Sequence, residues 1–231
     1  MKFRAIRAAF PHTIPVLTGY LFLGMAYGMY MRVSGFAFWY PLLMAVVIYG
    51  GSLEFVTVSL LLSAFSPVSA FVMALLIQAR HLFYGIAMLD RYKGLGWKRF
   101  FLIYGLTDET FSIACTAEPP QGVDRGWFLL SISLLDHLYW ITGAVSGALL
   151  GDLLHFNTQG LDFVMTAMFV VILVNHLQKS NKPYTALIGL GASAACLLLF
   201  GAESFLLPAM ACILALLTLF RRPIEKAGET A

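Results

Sequence analysis

Eight long apolar runs, separated by short polar segments, constrain this chain of 231 residues more than any other feature. Its mean hydropathy is +0.81 and 12% of its residues are charged, whereas about a quarter are charged in soluble domains. The sequence therefore predicts an all-α polytopic membrane protein that forms a single integral membrane domain over residues 1–231. The runs are His12–Met31, Phe36–Phe65, Pro67–Leu89, Phe100–Thr116, Trp127–Leu150, Phe163–Leu177, Tyr184–Phe200 and Phe205–Phe220.

Two of these runs are predicted to be discontinuous helices. Phe36–Phe65 is much longer than the roughly 20 residues that a straight span needs, and Gly50-Gly51 lies at its middle, where a helix breaks easily. Phe100–Thr116 is short for a span and is interrupted by Gly105 and by charged residues. Both runs therefore favour two half-helices over one continuous helix.

Both breaks carry the same sequence pattern, Tyr-Gly-x-(Ser/Thr)-x-Glu, at residues 49–54 and 104–109. Ser52 and Thr107 are good N-cap residues, and Glu54 and Glu109 would fall in the first turn of the restarted helix, where the helix dipole favours a carboxylate. Broken helices at corresponding positions of two repeats are typical of transporter binding sites. The repetition predicts two related helix restarts and a candidate inverted repeat.

Lysine and arginine in short loops indicate which side of the membrane each loop faces. The basic segments are the N-terminal residues 1–10, the loop 91–99, the loop with Lys179 and Lys182, and the tail 221–231. They share one side if the chain has about six full spans and two broken or re-entrant elements that enter from opposite faces. Eight plain spans, the alternative, would put loop 91–99 on the other side. We expect the six-span arrangement, with both termini cytoplasmic and residues 1–10 retained instead of cleaved as a signal peptide.

Asp108 and Glu109 form an adjacent carboxylate pair inside the fourth apolar run. A charge at mid-bilayer costs about 2.5 to 3.5 kcal/mol on insertion scales, so this pair is a candidate functional site. One of the two could receive a substrate ammonium or carry an exchanged proton, or both could cap a helix start near the interface. Together with Glu54, Arg80 and Asp136, unpaired charges would cost on the order of 12 to 18 kcal/mol. The runs that carry them are therefore predicted to meet, either around one cavity or as neutralised pairs.

Three sequence blocks carry a resemblance to a known family: Tyr49-x-Gly51-x-x-x-Phe55, Arg80-His81-x-x-Tyr84-Gly85 and Gly105-Leu106-Thr107-Asp108-Glu109-x-Phe111. From about residue 10 to 220 the chain resembles the AzlC family, also called the YgaZ type, which comprises the large subunits of bacterial branched-chain amino acid exporters. The resemblance implies efflux of leucine, valine, isoleucine and similar amino acids such as methionine across the inner membrane. It also implies a small AzlD/YgaH-type membrane partner. Where the family pattern leads us to expect Gln before Phe55, this chain has Glu54, an additional titratable group.

The remaining candidate residues each have a functional and a structural interpretation. Arg80 could hold a substrate carboxylate with its forked donors or neutralise Asp108. His81 could relay a proton or bond a backbone carbonyl in the core. Asp136, near the centre of its run, could line the same cavity or serve packing. The complete predicted set of substrate- or ion-binding residues is Gly50, Gly51, Ser52, Glu54, Arg80, His81, Tyr84, Gly105, Thr107, Asp108, Glu109 and Asp136.

The leading interpretation is a proton-coupled secondary exporter of neutral branched-chain amino acids, because the sequence contains no Gly-x-x-x-x-Gly-Lys-(Ser/Thr) loop for ATP. A passive small-solute channel and a non-transporting membrane subunit are the alternatives. Neither Gly-x-Ser-x-Gly nor His-Glu-x-x-His occurs, so an enzyme is not expected. We also expect no cofactor, no metal site and no nucleic-acid partner. Gly143-x-x-x-Gly147, followed by Gly151, predicts a close helix contact within the chain.

Overall fold

The computed structural model describes residues 2–64, 66–153, 183–201 and 205–219, together with residues 170, 174 and 177. The chain divides into two compact units, Met1–Leu161 and Asp162–Ala231. Within the described ranges all regular secondary structure is helical, as the sequence predicts. Most of the apolar run Phe163–Leu177, the loop with Lys179 and Lys182, and the tail 221–231 lie outside the described residues.

The helices follow the apolar runs closely. The described part of the first unit contains α1 (Lys2–Val33), α2 (Trp39–Val47), α3 (Ser52–Leu62), α4 (Pro67–Ala87), α5 (Lys98–Tyr104), α6 (Asp108–Thr116) and α7 (Arg125–Leu153). The described part of the second unit contains α8 (Pro183–Phe200) and α9 (Leu206–Leu219), which pack against each other.

Among the helices that the structure describes, α1 and α7 are long and apolar enough to cross a membrane. A third candidate is α4, although its two halves, Pro67–Leu75 and Ile77–Ala87, are bent by 46°. The described part of the chain is therefore all-α and contains helices suited to spanning a membrane. The count of six full spans, and a single domain over residues 1–231, stay predictions.

Helices α1 and α7 run in the same direction and touch backbone to backbone. A Cβ atom on Gly24 of α1 would lie 3.0 Å from the backbone nitrogen of Ala144, and one on Gly143 of α7 would lie 2.8 Å from a backbone oxygen of α1. Gly28 and Gly147 are even more tightly enclosed by the opposite backbone. Only glycine permits this approach. The predicted contact of the Gly143-x-x-x-Gly147 face is thus confirmed, and its partner face on α1 was not predicted.

The first predicted break lies between α2 and α3. Tyr49 and Gly51 have φ angles of 45° and 41°, and α3 begins at Ser52. A positive φ is unusual for a residue with a side chain, so the backbone turns sharply here. Gly51 occupies the N-cap position and Ser52 is the first helical residue, without a capping hydrogen bond. The prediction of Ser52 as N-cap was therefore wrong, because glycine at the preceding position takes the non-helical conformation that a cap requires.

Helices α2 and α3 form a hairpin, called here the first hairpin, whose tip is residues 49–52. Met44 of α2 lies with its sulfur 3.4 Å from the hydroxyl of Tyr27 on α1. Phe55 of α3 packs against the same Tyr27, with ring centroids 5.5 Å apart, and against Tyr30 at 6.2 Å. Both arms therefore contact the C-terminal half of α1, and the tip points towards its middle.

The second predicted break lies between α5 and α6, as expected. Gly105 caps the end of α5, and Thr107 is the N-cap of α6, with its side-chain oxygen accepting a hydrogen bond from the Thr110 backbone N–H at 3.3 Å. The cap predicted at Thr107 is confirmed. Asp108 and Glu109 occupy the first turn of α6, where the partial positive charge of the helix N-terminus favours carboxylates.

Helices α5 and α6 form the second hairpin, whose tip is residues 105–108 and whose open end lies at the start of α7. Lys98 at the start of α5 bonds Asp124 at 3.2 Å, and Asp124 also accepts from the Trp127 N–H at 2.8 Å. That backbone hydrogen bond, aided by Lys98, holds the pKa of Asp124 below its usual range. Lys2, at the start of α1, lies 4.6 Å from the ring centroid of Trp127. The two hairpins therefore enter from opposite ends of the α1–α7 pair.

Candidate functional site

The tips of the two hairpins meet midway along α1 and α7. The Tyr104 hydroxyl, at the end of α5, donates a hydrogen bond to the Val46 carbonyl near the end of α2. On α7, His137 contacts both hairpins: its Nε2 lies 2.9 Å from the Ala45 carbonyl oxygen, and its ring centroid is 4.1 Å from that of Tyr49 and 5.9 Å from that of Tyr104. The helix breaks thus face each other against the centre of α7.

Glu54 is held inside the first tip. It is fully buried, and its Oε1 accepts hydrogen bonds from the Gly50 backbone N–H at 3.1 Å and from the Trp140 indole N–H at 2.9 Å. The Trp140 ring in turn packs edge-on against Tyr20 of α1, with centroids 5.5 Å apart. The carboxylate therefore ties the turn of the first hairpin to α7 and α1.

Arg80 of α4 joins the two tips. Its Nη2 lies 3.0 Å from Asp108 Oδ2 and 3.4 Å from Ser52 Oγ. Two residues earlier on α4, Gln78 Nε2 donates a hydrogen bond to the Gly50 carbonyl at 3.3 Å. The Arg80 and Asp108 side chains are 31% and 21% exposed, so this ion pair is more accessible than the fully buried Glu54. Of the two interpretations offered for Arg80, neutralisation of Asp108 is the contact that is present.

A second set of contacts lies deeper, between α1, α6 and α7. The Tyr20 hydroxyl is 2.6 Å from Thr107 Oγ1 and 2.7 Å from Glu109 Oε2. Thr107 Oγ1 is 3.0 Å from Thr110 Oγ1, which donates to Asp136 Oδ2 at 2.8 Å. Thr110 and Asp136 are both 0% exposed. Glu109 and Asp136 are therefore connected through hydroxyl groups.

Most of the predicted set converges here. Gly105 packs closely against Ser133 of α7, where a Cβ would lie 3.3 Å from the serine Cβ. His81 and Tyr84 lie on the α4 side of the second tip, and both interact electrostatically with Asp108. The Tyr84 ring stacks on Phe111 at 4.4 Å, and His81 packs edge-on against Tyr84 at 5.6 Å. These two residues form a wall beside α6.

The site also includes residues that the sequence analysis missed, above all Tyr20, Thr110 and Trp140. Thr110 follows the N-cap Thr107 by three positions, and side chains at this spacing lie close together at the start of a helix. The sequence could therefore have indicated Thr110. Tyr20 and Trp140 lie within long apolar runs and look like other aromatic lining residues. Only the three-dimensional pairing of α1 with α7 reveals them.

Several buried acceptor atoms around the tips have no hydrogen-bond partner among the described residues. They are Glu54 Oε2, Gln78 Oε1, Asp108 Oδ1 and Asp136 Oδ1. The hydroxyls of Tyr49 and Ser133 in the same region also lack a hydrogen-bond partner among the described residues. Buried polar atoms in proteins are normally satisfied, so these groups suit a polar ligand or water. No group of three or more potential metal-ligating side chains occurs in the described part of the chain.

Comparison with known proteins gives the family. The sequence model described as "AzlC protein" matches residues 15–154. A Bacillus subtilis (strain 168) protein, "Branched-chain amino acid transport protein AzlC", is 52% identical over 223 residues, covering 96% of this chain and 88% of the relative. The chain belongs to the AzlC family.

Other relatives of this AzlC-family chain are described as membrane proteins. An "Uncharacterized membrane protein" of Haemophilus influenzae is 44% identical over 227 residues, or 98% of this chain and 93% of the relative. The "Inner membrane protein YgaZ" of Escherichia coli (strain K12) is 26% identical over 187 residues, or 74% and 72%. No solved structure matches. The resemblance predicted from the three sequence blocks is confirmed, and the chain is a membrane protein of a transport family and not an enzyme.

Proposed function

We propose that this chain is the large subunit of a secondary transporter that exports leucine, valine, isoleucine and methionine in exchange for protons. The relative from Bacillus subtilis is described as a branched-chain amino acid transport protein. The observation that carries the proposal is the meeting of two helix breaks midway along α1 and α7, with Arg80, Asp108 and Glu54 between them. Half-helix ends of this kind are used by transporters to bind substrate charges.

The Arg80–Asp108 ion pair is the proposed binding site for the substrate backbone. A zwitterionic amino acid carries the same two charges as the pair, so its carboxylate can replace Asp108 on Arg80 while its ammonium binds Asp108. Asp108 Oδ1, which lacks a partner among the described residues, is available as an acceptor. Tyr84 and Phe111 supply an apolar surface beside α6 for the aliphatic side chain.

The proposed orientation places the open end of the second hairpin in the cytoplasm. Basic residues Arg91 and Lys98 lie at that end, on the same side as Lys2, and basic loops face the cytoplasm. The first hairpin then enters from the periplasmic face of a bacterial inner membrane, with both chain termini cytoplasmic and six full spans. A cysteine reporter at Lys93, treated with a membrane-impermeant maleimide, should label in inside-out vesicles alone. Labelling of intact cells would refute this orientation.

Transport itself is tested in proteoliposomes that contain this chain and its proposed small AzlD-type partner. An imposed proton gradient should drive labelled leucine above its equilibrium level. Equilibration without accumulation would instead indicate a channel, and full activity of the partner alone would reduce this chain to a non-transporting subunit. If leucine, valine and isoleucine all fail to move, the substrate proposal is wrong.

A further inference from the structure

A continuous chain of oxygen atoms connects Glu109 to Asp136. In order, its members are Glu109 Oε2, Tyr20 Oη, Thr107 Oγ1, Thr110 Oγ1 and Asp136 Oδ2, and the successive oxygen–oxygen distances are 2.7, 2.6, 3.0 and 2.8 Å. All four lie within the normal range for O–H···O hydrogen bonds. The three middle groups are hydroxyls, each of which can donate one hydrogen bond and accept others.

The number of available protons determines how the oxygen atoms between Glu109 and Asp136 are hydrogen-bonded. Four hydrogen bonds need four protons, and the hydroxyls of Tyr20, Thr107 and Thr110 supply three. The fourth must come from a carboxyl group at one end of the chain. With the proton on Glu109 every bond points towards Asp136, and with the proton on Asp136 every bond points towards Glu109. All four hydrogen bonds can therefore form when the carboxyl groups of Glu109 and Asp136 share a single proton.

We infer that Tyr20, Thr107 and Thr110 form a proton relay between Glu109 and Asp136, which would carry the coupling proton of the transporter. In the transfer, the Glu109 O–H bond breaks as a proton passes to Tyr20, and each hydroxyl passes its own proton to the next oxygen. The Asp136 O–H bond forms last. Each hydroxyl keeps one proton, Glu109 becomes a carboxylate, and one proton has moved from α6 to α7.

The two ends of the relay have different surroundings. Glu109 is next to Asp108, whose partner Arg80 is 31% exposed, so the proton can enter from the same accessible region as the proposed substrate. Asp136 is 0% exposed, and its Oδ1 has no partner among the described residues. The relay thus provides Asp136 with a hydrogen-bonded route to the accessible ion pair.

The charged and titratable groups that act on the relay come from each neighbouring element. Arg80 and Tyr84 of α4 and Asp108 of α6 interact electrostatically with Glu109, as do Tyr20 of α1 and Tyr49 of the first tip. Tyr49 also interacts with Asp136, and its hydroxyl interacts with the relay hydroxyls of Tyr20 and Thr110. The substrate ion pair and the relay therefore meet at adjacent residues of α6, Asp108 and Glu109. Binding of a zwitterion to the pair changes the charge next to the proton donor, which links the two events.

The inference rests on the proposed transport function, and two variants break the relay with little change of shape. Tyr20→Phe and Thr110→Val each remove one hydroxyl, whereas Thr110→Ser keeps it. Matched controls are Tyr27→Phe, a buried tyrosine of the same helix, and Thr13→Val, a buried threonine whose hydroxyl contacts Tyr139 at 3.1 Å. Both controls remove a buried hydroxyl outside the relay.

The first measurement needs no substrate. After a rapid pH jump, time-resolved infrared spectroscopy on the purified protein follows the carboxyl band that Asp136→Asn abolishes. Protonation of Asp136 should slow at least about tenfold in Tyr20→Phe and Thr110→Val, because each lacks a proton-transferring hydroxyl. It should keep its rate in Thr110→Ser and in both controls. Unchanged rates in the relay variants, or no titrating Asp136 band, would overturn the relay whether or not leucine is transported.

The second measurement separates the relay from the transport proposal. In proteoliposomes, the relay variants should retain leucine–leucine exchange, which moves no net proton, and should lose accumulation driven by a pH gradient. The Thr13→Val and Tyr27→Phe controls should retain both. Loss of exchange and accumulation together in folded relay variants would show that the hydroxyls serve translocation itself and would overturn the inference. Absence of leucine exchange in the wild type would refute the transport proposal alone.

Discussion

Replacement of Glu54 tests how the first hairpin is held together. Its Oε1 satisfies two buried donors, the Gly50 N–H and the Trp140 indole N–H. Glu54→Leu leaves both donors unpaired, and each unsatisfied buried group costs about 1–3 kcal/mol. The variant should therefore lose about 2–6 kcal/mol of unfolding free energy. Glu54→Gln keeps an acceptor oxygen in place, so it should remain within about 1 kcal/mol of the wild type.

The assay is equilibrium unfolding in mixed detergent micelles with increasing SDS fraction, followed by tryptophan fluorescence. Trp140→Phe is the matched control, because it removes one of the two hydrogen bonds and should cost less than Glu54→Leu. Equal stability of the Leu and Gln variants would refute the assignment of Glu54 as the clamp of this turn. Accumulation of leucine by Glu54→Gln proteoliposomes would further show that the proton is carried elsewhere.

Three further variants test the ion pair, the helix contact and the start of α7. Arg80→Ala should raise the KM for leucine at least about tenfold and should destabilise the protein by about 1–3 kcal/mol, because Asp108 is left unpaired. The double variant with Asp108→Ala should recover its folded yield but not transport. Recovery of transport in the double variant would refute the binding site. Gly28→Ala should lower the melting temperature, because its methyl group would clash with the α7 backbone at a cost of about 1–3 kcal/mol. Gly19→Ala should not, because there is open space around Gly19. Equal effects of the two variants would contradict the backbone contact between α1 and α7. Asp124→Ala should cost about 1 kcal/mol by removing an N-cap, and Asp124→Asn little. Because the pKa of Asp124 is lowered on folding, its carboxylate stabilises the folded protein at neutral pH. This stabilisation is lost as the pH falls through the lowered pKa. The melting temperatures of wild type and Asp124→Asn should therefore converge in acid.

The helix breaks could be predicted from the sequence because their causes are local. Gly50-Gly51 and Gly105 interrupt apolar runs, and Thr107 is followed by acidic residues that suit a helix start. The cap at the first break was misassigned to Ser52 because the choice between a serine and a preceding glycine depends on the backbone angle at that glycine. A φ of 41° at Gly51 is set by how the whole turn packs.

The contacts within the site could be predicted only in part. The cost of isolated intramembrane charges requires that Arg80 and the acidic residues meet, and the Arg80–Asp108 pair agrees with this argument. Tyr20 and Thr110 belong to the same site because α1 and α6 both contact α7, which is a matter of tertiary packing. Gly24 and Gly28 were missed for the same reason, since a small residue indicates a close contact only when the opposite helix is known.

The backbone contact between α1 and α7 restricts which parts of the unit can move during a transport cycle. Sliding or rotating one helix against the other would drive side chains into the backbone at Gly28 and Gly147, so this pair behaves as a rigid frame. Helix α4, bent by 46°, stands outside that contact and carries Arg80. A displacement of α4 would open the ion pair with Asp108 while the hydroxyl chain, anchored on both helices of the frame, stayed closed.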